Sequence, residues 1–296
     1  MIAPSTVLVL GAGASKPYGF PLGHELKTEI TTSLENTDGP HFNALMKCEF
    51  DKEFIVKFQN ELHDSIHETI DDFLDSRPTY RRIGSFAIAQ SILRHEIDSQ
   101  LPARGQWYSY LFKVVDFTSP VRSSPVTEIV TLNYDRSLER YLRRTIDASY
   151  ERDVREAGRR KLKAIPIIHV HGTLGTYPQV PYGRRITQAS LPRAADTLRI
   201  ASDIELDDSP EYERAREAIR QAQNVVFLGF GYHEGILQRL NTGSFAGKHI
   251  YGSAFNIDDA TRNRIKGMFD GSIELGDGGQ EIGNYFYNLK MVSAEQ

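Results

Sequence analysis

The sequence contains a single cysteine, Cys48, and this scarcity limits the kinds of site that the chain can build. One thiol cannot form a disulfide within the chain, and it cannot supply a cysteine-based zinc site, which needs several ligands at set spacings. The absence of disulfides is typical of a reducing compartment, so we expect a cytoplasmic protein. His63 and His67 stand four residues apart, as metal ligands can, but no third ligand accompanies them. The sequence therefore predicts no metal site.

Long apolar runs and a strong excess of one charge are also missing. No stretch approaches the ~18 apolar residues of a membrane span. The apolar stretch at residues 6–10 ends in glycines and has no charged region before it, which is unlike a signal peptide. The formal net charge is −4, which predicts no general attraction to nucleic acid or to a membrane surface. We interpret the local basic stretch around Arg143 and Arg159 as a solvent-exposed helix face or loop.

Short apolar runs are present, and each leads into a glycine or turn residue. They cover residues 7–10, 128–132, 165–170, 224–228 and 249–255, and helical periodicity follows most of them. Continuous apolar runs of this length suit strands that are buried on both faces of a parallel sheet. The pattern predicts an α/β fold with a doubly wound, Rossmann-like parallel sheet.

Residues 36–122 differ from the rest because they contain no comparable strand. Their apolar residues recur every three or four positions, first at Phe54, Phe58, Leu62, Ile66, Ile70 and Phe73. Two more helical stretches are expected at residues 83–97 and around residues 107–117. We predict that residues 36–122 form a helical insertion between the first and second strands, within a single domain spanning residues 1–296.

A glycine loop that directly follows the first predicted strand carries the strongest local signal. Its sequence is Gly11-Ala12-Gly13-Ala14-Ser15. Two glycines at this spacing allow a tight turn and bring backbone N–H groups close to a pyrophosphate. The third glycine of the dinucleotide fingerprint would fall at Lys16, and no obvious acidic residue follows ~20 residues later to hold a ribose. Taken alone, the pattern fits a pyrophosphate-binding loop or a plain tight turn.

Together with later segments, the glycine loop resembles the NAD-binding segments of sirtuins. The loop continues into Gly19-Phe20-Pro21, and the later matches are Thr131-Leu132-Asn133-Tyr134-Asp135, His171-Gly172-Thr173, Leu228-Gly229-Phe230-Gly231-Tyr232 and Phe255-Asn256. The resemblance implies NAD as the ligand and two catalytic residues, Asn133 and His171. The NAD-binding residues that it implies are Gly11, Ala12, Gly13, Ser15, Phe20, Pro21, Asp135, Gly229, Gly231 and Asn256.

The chain departs from protein-deacylating sirtuins because it cannot build their four-cysteine zinc module. Its early insertion instead contains Thr69-Ile70-Asp71-Asp72-Phe73-Leu74, which is similar to a hexapeptide of zinc-free, sirtuin-like proteins of bacterial defence systems. Members of that group hydrolyse NAD as an antiphage suicide response, often with a partner such as a HerA-type ATPase or an Argonaute. The resemblance thus implies an NAD glycohydrolase of antiphage defence.

Elementary chemistry agrees with the two catalytic assignments. Cleavage of the nicotinamide–ribose bond passes through an oxocarbenium-like state, so the enzyme must hold the ribose and position a water. An amide donates and accepts hydrogen bonds without titrating, and an imidazole can take a proton near neutral pH. We therefore expect Asn133 to orient ribose and water and His171 to act as the general base.

Each assignment has a structural alternative. Asn133 or Asp135 could cap the helix that follows, and His171 could be a hydrogen-bonded core residue. His169 is expected to be structural, although a supporting contact stays open. For further candidate residues the sequence leaves the role undecided: Asp71 and Asp72 face solvent or form a polar wall of the nicotinamide pocket, and His233 is a surface residue or touches the ligand.

The expected function is therefore NAD hydrolysis to nicotinamide and ADP-ribose. The alternatives are NAD-dependent protein deacylation or ADP-ribosyl transfer, and a non-catalytic subunit that senses NAD or ADP-ribose. Because the fold and its insertion account for nearly all 296 residues, we expect regulation by a homo-oligomer or by a separate partner, with the HerA-type ATPase favoured by resemblance only.

Overall fold

A single parallel sheet forms the centre of the protein. The computed structural model describes residues 5–102, 106–115, 117, 124–176, 179–183, 187, 189–200, 209–240 and 245–289. The strands in this part of the chain are β1 Thr6–Leu10, β2 Val126–Thr131, β3 Ile167–His169, β4 Asn224–Leu228, β5 His249–Gly252 and β6 Ile273–Leu275. They pair in the order β3-β2-β1-β4-β5-β6, and every pair is parallel. The predicted doubly wound α/β fold is therefore confirmed.

Helices cover the sheet and fill the long connection between its first two strands. Their bounds are α1 Ala12–Ser15, α2 Gly23–Glu35, α3 Pro40–Lys47, α4 Lys52–Asp64, α5 Ile70–Ser76, α6 Arg81–His95, α7 Trp107–Val115, α8 Ser137–Ser149, α9 Arg152–Ala164, α10 Ser190–Ala195, α11 Pro210–Gln221, α12 Glu234–Leu240, α13 Asp259–Met268 and α14 Ile282–Asn288. Helices α1 to α7 all lie between β1 and β2. The predicted end of the insertion, at residue 122, lies outside the described residues.

One expectation inside this helical segment is wrong. The apolar periodicity from Phe54 to Phe73 predicted continuous helix, but α4 ends at Asp64 and Ile66 lies in a loop with 96% of its surface exposed. A new helix then begins because the Thr69 hydroxyl accepts a hydrogen bond from the backbone N–H of Asp72, 3.1 Å away. Such an N-cap satisfies a backbone donor that the first turn leaves unpaired.

The sheet separates two apolar cores because its side chains alternate between the two faces. Leu8 and Leu10 of β1 pack with the helices of the β1–β2 connection, whereas Val7 and Val9 pack with α11, α12 and α13. No helix within the described ranges is long and apolar enough to cross a membrane.

The strand order places the candidate site. From β1 the chain moves to β2 and β3 on one side of the sheet, and it later fills the other side with β4, β5 and β6. The loops after β1 and β4 therefore lie side by side at the carboxyl edge, where the order reverses. Ligands of open α/β sheets bind in the crevice at this topological switch point.

Candidate active site

The loops after β1 and β4 contact each other through their backbones. The N–H of Gly13 donates to the carbonyl oxygen of Gly229 at 2.9 Å, and the N–H of Gly11 donates to that of Leu228 at 3.0 Å. Gly229 has a φ of +58°, and a Cβ there would overlap the backbone of Gly13 and Ala14. Only glycine accepts both the left-handed conformation and this close approach without strain. The glycine loop is thus held in place by the β4 loop.

The side chain of Asn133 reaches this glycine loop from the end of β2. Its amide nitrogen donates to the carbonyl oxygen of Gly11 at 2.9 Å and to the hydroxyl oxygen of Ser15 at 3.0 Å. Because the Gly11 carbonyl can only accept, the nitrogen and not the oxygen of the amide faces the loop. The half-buried Asn133 is therefore joined to the glycine loop in one defined orientation.

A buried hydrogen-bond network holds Ser15, whose hydroxyl accepts from the Asn133 amide. The Ser15 hydroxyl donates to one carboxylate oxygen of Asp135 at 2.7 Å, and the backbone N–H of Ser137 donates to the other at 2.9 Å. The Ser137 hydroxyl also bonds Asp135 and lies 2.7 Å from the hydroxyl of Tyr108. Burial raises the pKa of Asp135, against the hydrogen bonds from Ser137 and Ser15. Asp135 thus holds the glycine loop through Ser15 and the start of α8 through Ser137. The sequence left both roles open.

His171 lies just beyond β3 and is enclosed by aromatic rings. It is 4% exposed, its Nε2 is 2.9 Å from the hydroxyl oxygen of Tyr212, and its ring centroid is 6.2 Å from that of Tyr134. Burial lowers the pKa of His171 to about 4, Arg239 acts in the same direction, and a hydrogen bond to the backbone of Leu132 opposes both. The imidazole is therefore neutral near pH 7 and can accept a proton.

The segments after β2 and β3 are held together by hydrogen bonds. The N–H of Val170 donates to the carbonyl oxygen of Thr131 at 3.1 Å, and that of Leu174 donates to the carbonyl oxygen of Tyr134 at 3.2 Å. Between them, Nδ1 of His169 lies 3.0 Å from the carbonyl oxygen of Asn133. Asn133 and His171 consequently occupy adjoining strand ends, as the sequence predicted, with the Asn133 amide directed at the glycine loop and the His171 ring packed between tyrosines.

The helical connection also reaches the end of β2. The hydroxyl of Tyr134, next to Asn133, donates to a carboxylate oxygen of Asp71 at 2.6 Å. Asp72 instead bonds the Thr69 hydroxyl at the start of α5. Of the two acidic residues in the hexapeptide, Asp71 is therefore the one that contacts the candidate site.

The other residues implied by the resemblance lie in different surroundings. Ala12 and Gly13 are half-buried in α1, whereas Phe20 is buried in the apolar core and Pro21 is half-buried beside it. Two of the later residues, Gly231 and Asn256, are exposed in the loops after β4 and β5, and so is His233. The β4 and β5 loops are joined because the N–H of Gly229 donates to the Ser253 hydroxyl at 2.8 Å. The structure thus brings together Gly11, Gly13, Ser15, Asn133, Asp135 and Gly229, and it places Phe20 in the core.

The two histidines considered as metal ligands have separate partners. His63 lies 2.9 Å from a carboxylate oxygen of Asp64, and His67 lies 2.9 Å from the hydroxyl of Ser76. In the described part of the chain, no cluster of three or more histidine, cysteine or acidic residues could hold a metal ion.

Sequence reasoning missed several residues that shape this site. Tyr212 is 41 positions from His171. Trp107, whose indole N–H donates to the carbonyl oxygen of Ala14 at 2.8 Å, is 93 positions from Ala14. Glu139, whose carboxylate bonds His169, was missed as well. Such contacts have no local signature, because they depend on how α7, α8 and α11 pack onto the sheet.

Comparison with known proteins supports a sirtuin-like family for the part of the chain that contains the segments after β2, β3 and β4. Residues 127–247 match the family model described as the SIR2-like domain. The matched segment covers less than half of the chain; it includes Asn133, His171 and Gly229 but starts after the glycine loop. SIR2-like domains use NAD, so the match supports an NAD-related activity. No curated protein matches the chain.

Proposed function

We propose that the protein is an NAD glycohydrolase, which cleaves the bond between nicotinamide and ribose. The observation that carries the proposal is the double hydrogen bond from the Asn133 amide to Gly11 and Ser15. It fixes a non-titrating polar group against the loop that would hold the pyrophosphate, at the switch point of the sheet. The SIR2-like match at residues 127–247 supports NAD as the ligand.

The reaction needs few chemical groups. When the glycosidic bond breaks, its electron pair stays on the nicotinamide nitrogen and nicotinamide leaves as a neutral molecule. A water oxygen then bonds to the ribose carbon and gives up one proton. We assign the Asn133 carboxamide to orienting the ribose and this water, and His171 to accepting the proton; its lowered pKa leaves the ring neutral near pH 7 but makes it a weaker base than a free imidazole.

The enclosed position of His171 adds a condition to this mechanism. Because Nε2 faces the Tyr212 hydroxyl at 2.9 Å, His171 can take the proton only if Tyr212 releases that contact when NAD is bound. We therefore expect Tyr212→Phe to retain most of the activity, whereas His171→Ala loses it. A Tyr212→Phe variant as inactive as His171→Ala would instead place the hydroxyl in the proton path.

The decisive assay separates hydrolysis from the other NAD reactions. Purified full-length protein is incubated with NAD, and nicotinamide, free ADP-ribose, protein-bound ADP-ribose and an acylated peptide are followed by chromatography and mass spectrometry. We expect equal amounts of nicotinamide and free ADP-ribose, with a rate at least about a hundredfold lower in Asn133→Ala. Asn60→Ala, an exposed asparagine of α4, and His249→Ala, an exposed histidine of β5, are the matched controls.

Other products would overturn the proposal. Nicotinamide release that requires the acylated peptide indicates deacylation, and ADP-ribose attached to protein indicates transfer. Binding of NAD without turnover, in both the presence and absence of candidate partners, indicates a sensing subunit.

We extend the proposal to a role in antiphage defence, regulated by self-assembly or by a separate ATPase partner of the HerA type. The support is the resemblance of the hexapeptide at residues 69–74. In infected cells, NAD should fall with the wild-type chain and not with Asn133→Ala. A chain that stays monomeric and fully active alone at all concentrations would refute the regulatory part.

A further inference from the structure

Each ring nitrogen of His169 lies against an oxygen atom that can accept a hydrogen bond. Nδ1 is 3.0 Å from the backbone carbonyl oxygen of Asn133, and Nε2 is 2.6 Å from a carboxylate oxygen of Glu139. A carbonyl oxygen can only accept, so Nδ1 carries a proton in either case. If Glu139 is ionised, Nε2 must carry one too, and the ring is an imidazolium.

The surroundings favour the ionised pair. The side chain of His169 is 11% exposed and that of Glu139 is 36% exposed. Burial alone would lower the pKa of His169, but the charge and hydrogen bond of Glu139, together with the bond to the Asn133 backbone and the charge of Asp135, raise it. For Glu139, burial acts to raise the pKa, but the charge and hydrogen bond of His169, together with a backbone hydrogen bond and the charge of Arg136, lower it.

Other ionisable groups also act on the pair, and the Glu139 charge in turn acts on Glu96. Asp135, after β2, favours the charged ring, and Arg136, at the start of α8, favours the ionised carboxylate. Helix α11 also packs on β3, and its Tyr212 bonds His171.

The carbonyl that His169 holds belongs to Asn133. The carbonyl oxygens of Thr131 and Tyr134 accept from backbone N–H groups, whereas that of Asn133 accepts from the His169 ring. A hydrogen bond from a charged donor is stronger than one from a neutral donor. The bond from His169 fixes the peptide plane from which the Asn133 side chain extends to Gly11 and Ser15.

We propose that His169 and Glu139 form an ion pair that positions Asn133 for NAD cleavage. The inference rests on the proposed function. His169 does not touch the reacting atoms; it acts through Asn133 as a positioning residue. Loss of its bond to the Asn133 carbonyl should therefore lower kcat and leave ligand affinity unchanged.

Two neutral substitutions each keep one of the two hydrogen bonds of the ring and remove the other. In His169→Asn the amide nitrogen takes the place of Nδ1 and can still donate to Asn133. In His169→Gln it takes the place of Nε2 and can still donate to Glu139, but the bond to Asn133 is lost. We expect kcat to fall about tenfold or more in His169→Gln and less than about threefold in His169→Asn. The dissociation constant of ADP-ribose, measured by calorimetry, should stay unchanged in both.

The pH profile gives a second readout. Because the pKa of His169 is raised, the ring keeps both protons at neutral pH; as the pH rises through that pKa one is lost, and the single proton left cannot donate to Asn133 and to the Glu139 carboxylate at once. The wild-type kcat should therefore decline on the alkaline side, and this decline should be absent in His169→Asn, whose amide does not titrate. Equal losses in the Asn and Gln variants, or an unchanged alkaline decline in His169→Asn, would overturn the proposal.

A measurement without turnover distinguishes failure of this inference from failure of the proposed function. Nitrogen-15 NMR of histidine-labelled protein, with the His169 signal assigned from the His169→Asn variant, should show both ring nitrogens protonated at pH 7. One protonated nitrogen would refute the ion pair even in an active enzyme. A doubly protonated ring in a chain that releases no nicotinamide would refute the hydrolase assignment and retain the pair.

Discussion

At the scale of single residues, the tightest steric constraint on the site is the contact between Gly229 and the glycine loop. Replacement by alanine imposes a left-handed backbone on a residue with a side chain, which costs about 1–2 kcal/mol, and the new methyl group overlaps Ala14. We expect Gly229→Ala to lower the free energy of unfolding by about 2 kcal/mol or more, measured by urea denaturation, and to weaken ADP-ribose binding.

A glycine without these constraints provides the control. Gly267, near the end of α13, has no atom within 4 Å of where its Cβ would lie, apart from its chain neighbours and the backbone of its own helix. Gly267→Ala should leave stability unchanged or raise it by up to about 1 kcal/mol. If both variants behaved alike, the close approach of the two loops would be refuted.

The burial of His171 predicts a pH-dependent stability. In the unfolded chain His171 takes up a proton below its ordinary pKa of 6.5, whereas in the folded protein it does so only below about 4. Between these values the unfolded state binds more protons, so the contribution of His171 is complete above pH 6.5 and falls by about 3 kcal/mol as the pH drops to 4.

The stability difference between the wild type and His171→Gln isolates this contribution. It should grow from pH 4 to pH 6.5 and then level off, as measured by urea unfolding at each pH. His249→Gln controls for the replacement of a histidine as such. A difference between the wild type and His171→Gln that did not vary with pH would show that the ring is not buried in its neutral form.

The positions of several site residues, but few of the contacts between them, could be predicted from the sequence. Asn133 and the glycine loop each follow a buried apolar run, and parallel strand order brings such ends together. The bond from Ser15 to Asp135 could not be predicted, because Ser15 fitted a ligand-binding role equally well. The enclosure of His171 by Tyr212 depends on where α11 packs, which no local pattern specifies.

At the scale of elements, strand prediction followed the length of the apolar runs. Strand β4 matches its run from Asn224 to Leu228, whereas β6, with the sequence Ile-Glu-Leu at Ile273–Leu275, was missed. Three residues with a polar centre give no recognisable run, and β6 forms because it can pair with β5. The break between α4 and α5 was missed for a related reason, since the Thr69 cap overrides the apolar periodicity.

Helix α8 is tied to the segment after α6 by two arginines with very different surroundings. Arg136 forms a two-pronged ion pair with Glu96, whose side chain is fully buried, and also donates to the carbonyl oxygen of Val180 at 2.6 Å. Removal of one partner of a buried pair leaves an uncompensated charge. We therefore expect Arg136→Met to lower the free energy of unfolding by about 3–5 kcal/mol, measured by urea denaturation.

Arg140, one turn later, supplies the matched control. It pairs with Asp98 at 2.7 Å, but the two side chains are 38% and 44% exposed, so Arg140→Met should cost about 1 kcal/mol or less. The double variant Arg136→Met with Glu96→Gln should recover most of the lost stability, because no buried charge is left unpaired. Equal effects of the two single variants would contradict a special role for the buried pair.

At the scale of the whole molecule, the two apolar cores share the central strands. Strands β1 and β4 contribute side chains to both, with Leu228 on one face and Phe227 on the other. Neither core can unfold without exposing the strands that the other needs. Trp107, the only tryptophan, is fully buried in the core that contains the helices between β1 and β2 and donates to Ala14 of the glycine loop. Its fluorescence therefore reports on one core, whereas far-ultraviolet circular dichroism reports on the whole fold.

We expect the two signals to give coincident urea transitions despite the length of the chain, because loss of either core removes the support of the shared sheet. ADP-ribose at a hundred times its dissociation constant should shift both transitions together, by about 2.7 kcal/mol, if it binds only the folded state. If the Trp107 transition preceded the loss of circular dichroism, the helices between β1 and β2 would be a separate cooperative unit. The contacts of Trp107 with the glycine loop and of Asp71 with Tyr134 would then be too weak to couple that unit to the site, and the site could open without unfolding of the sheet.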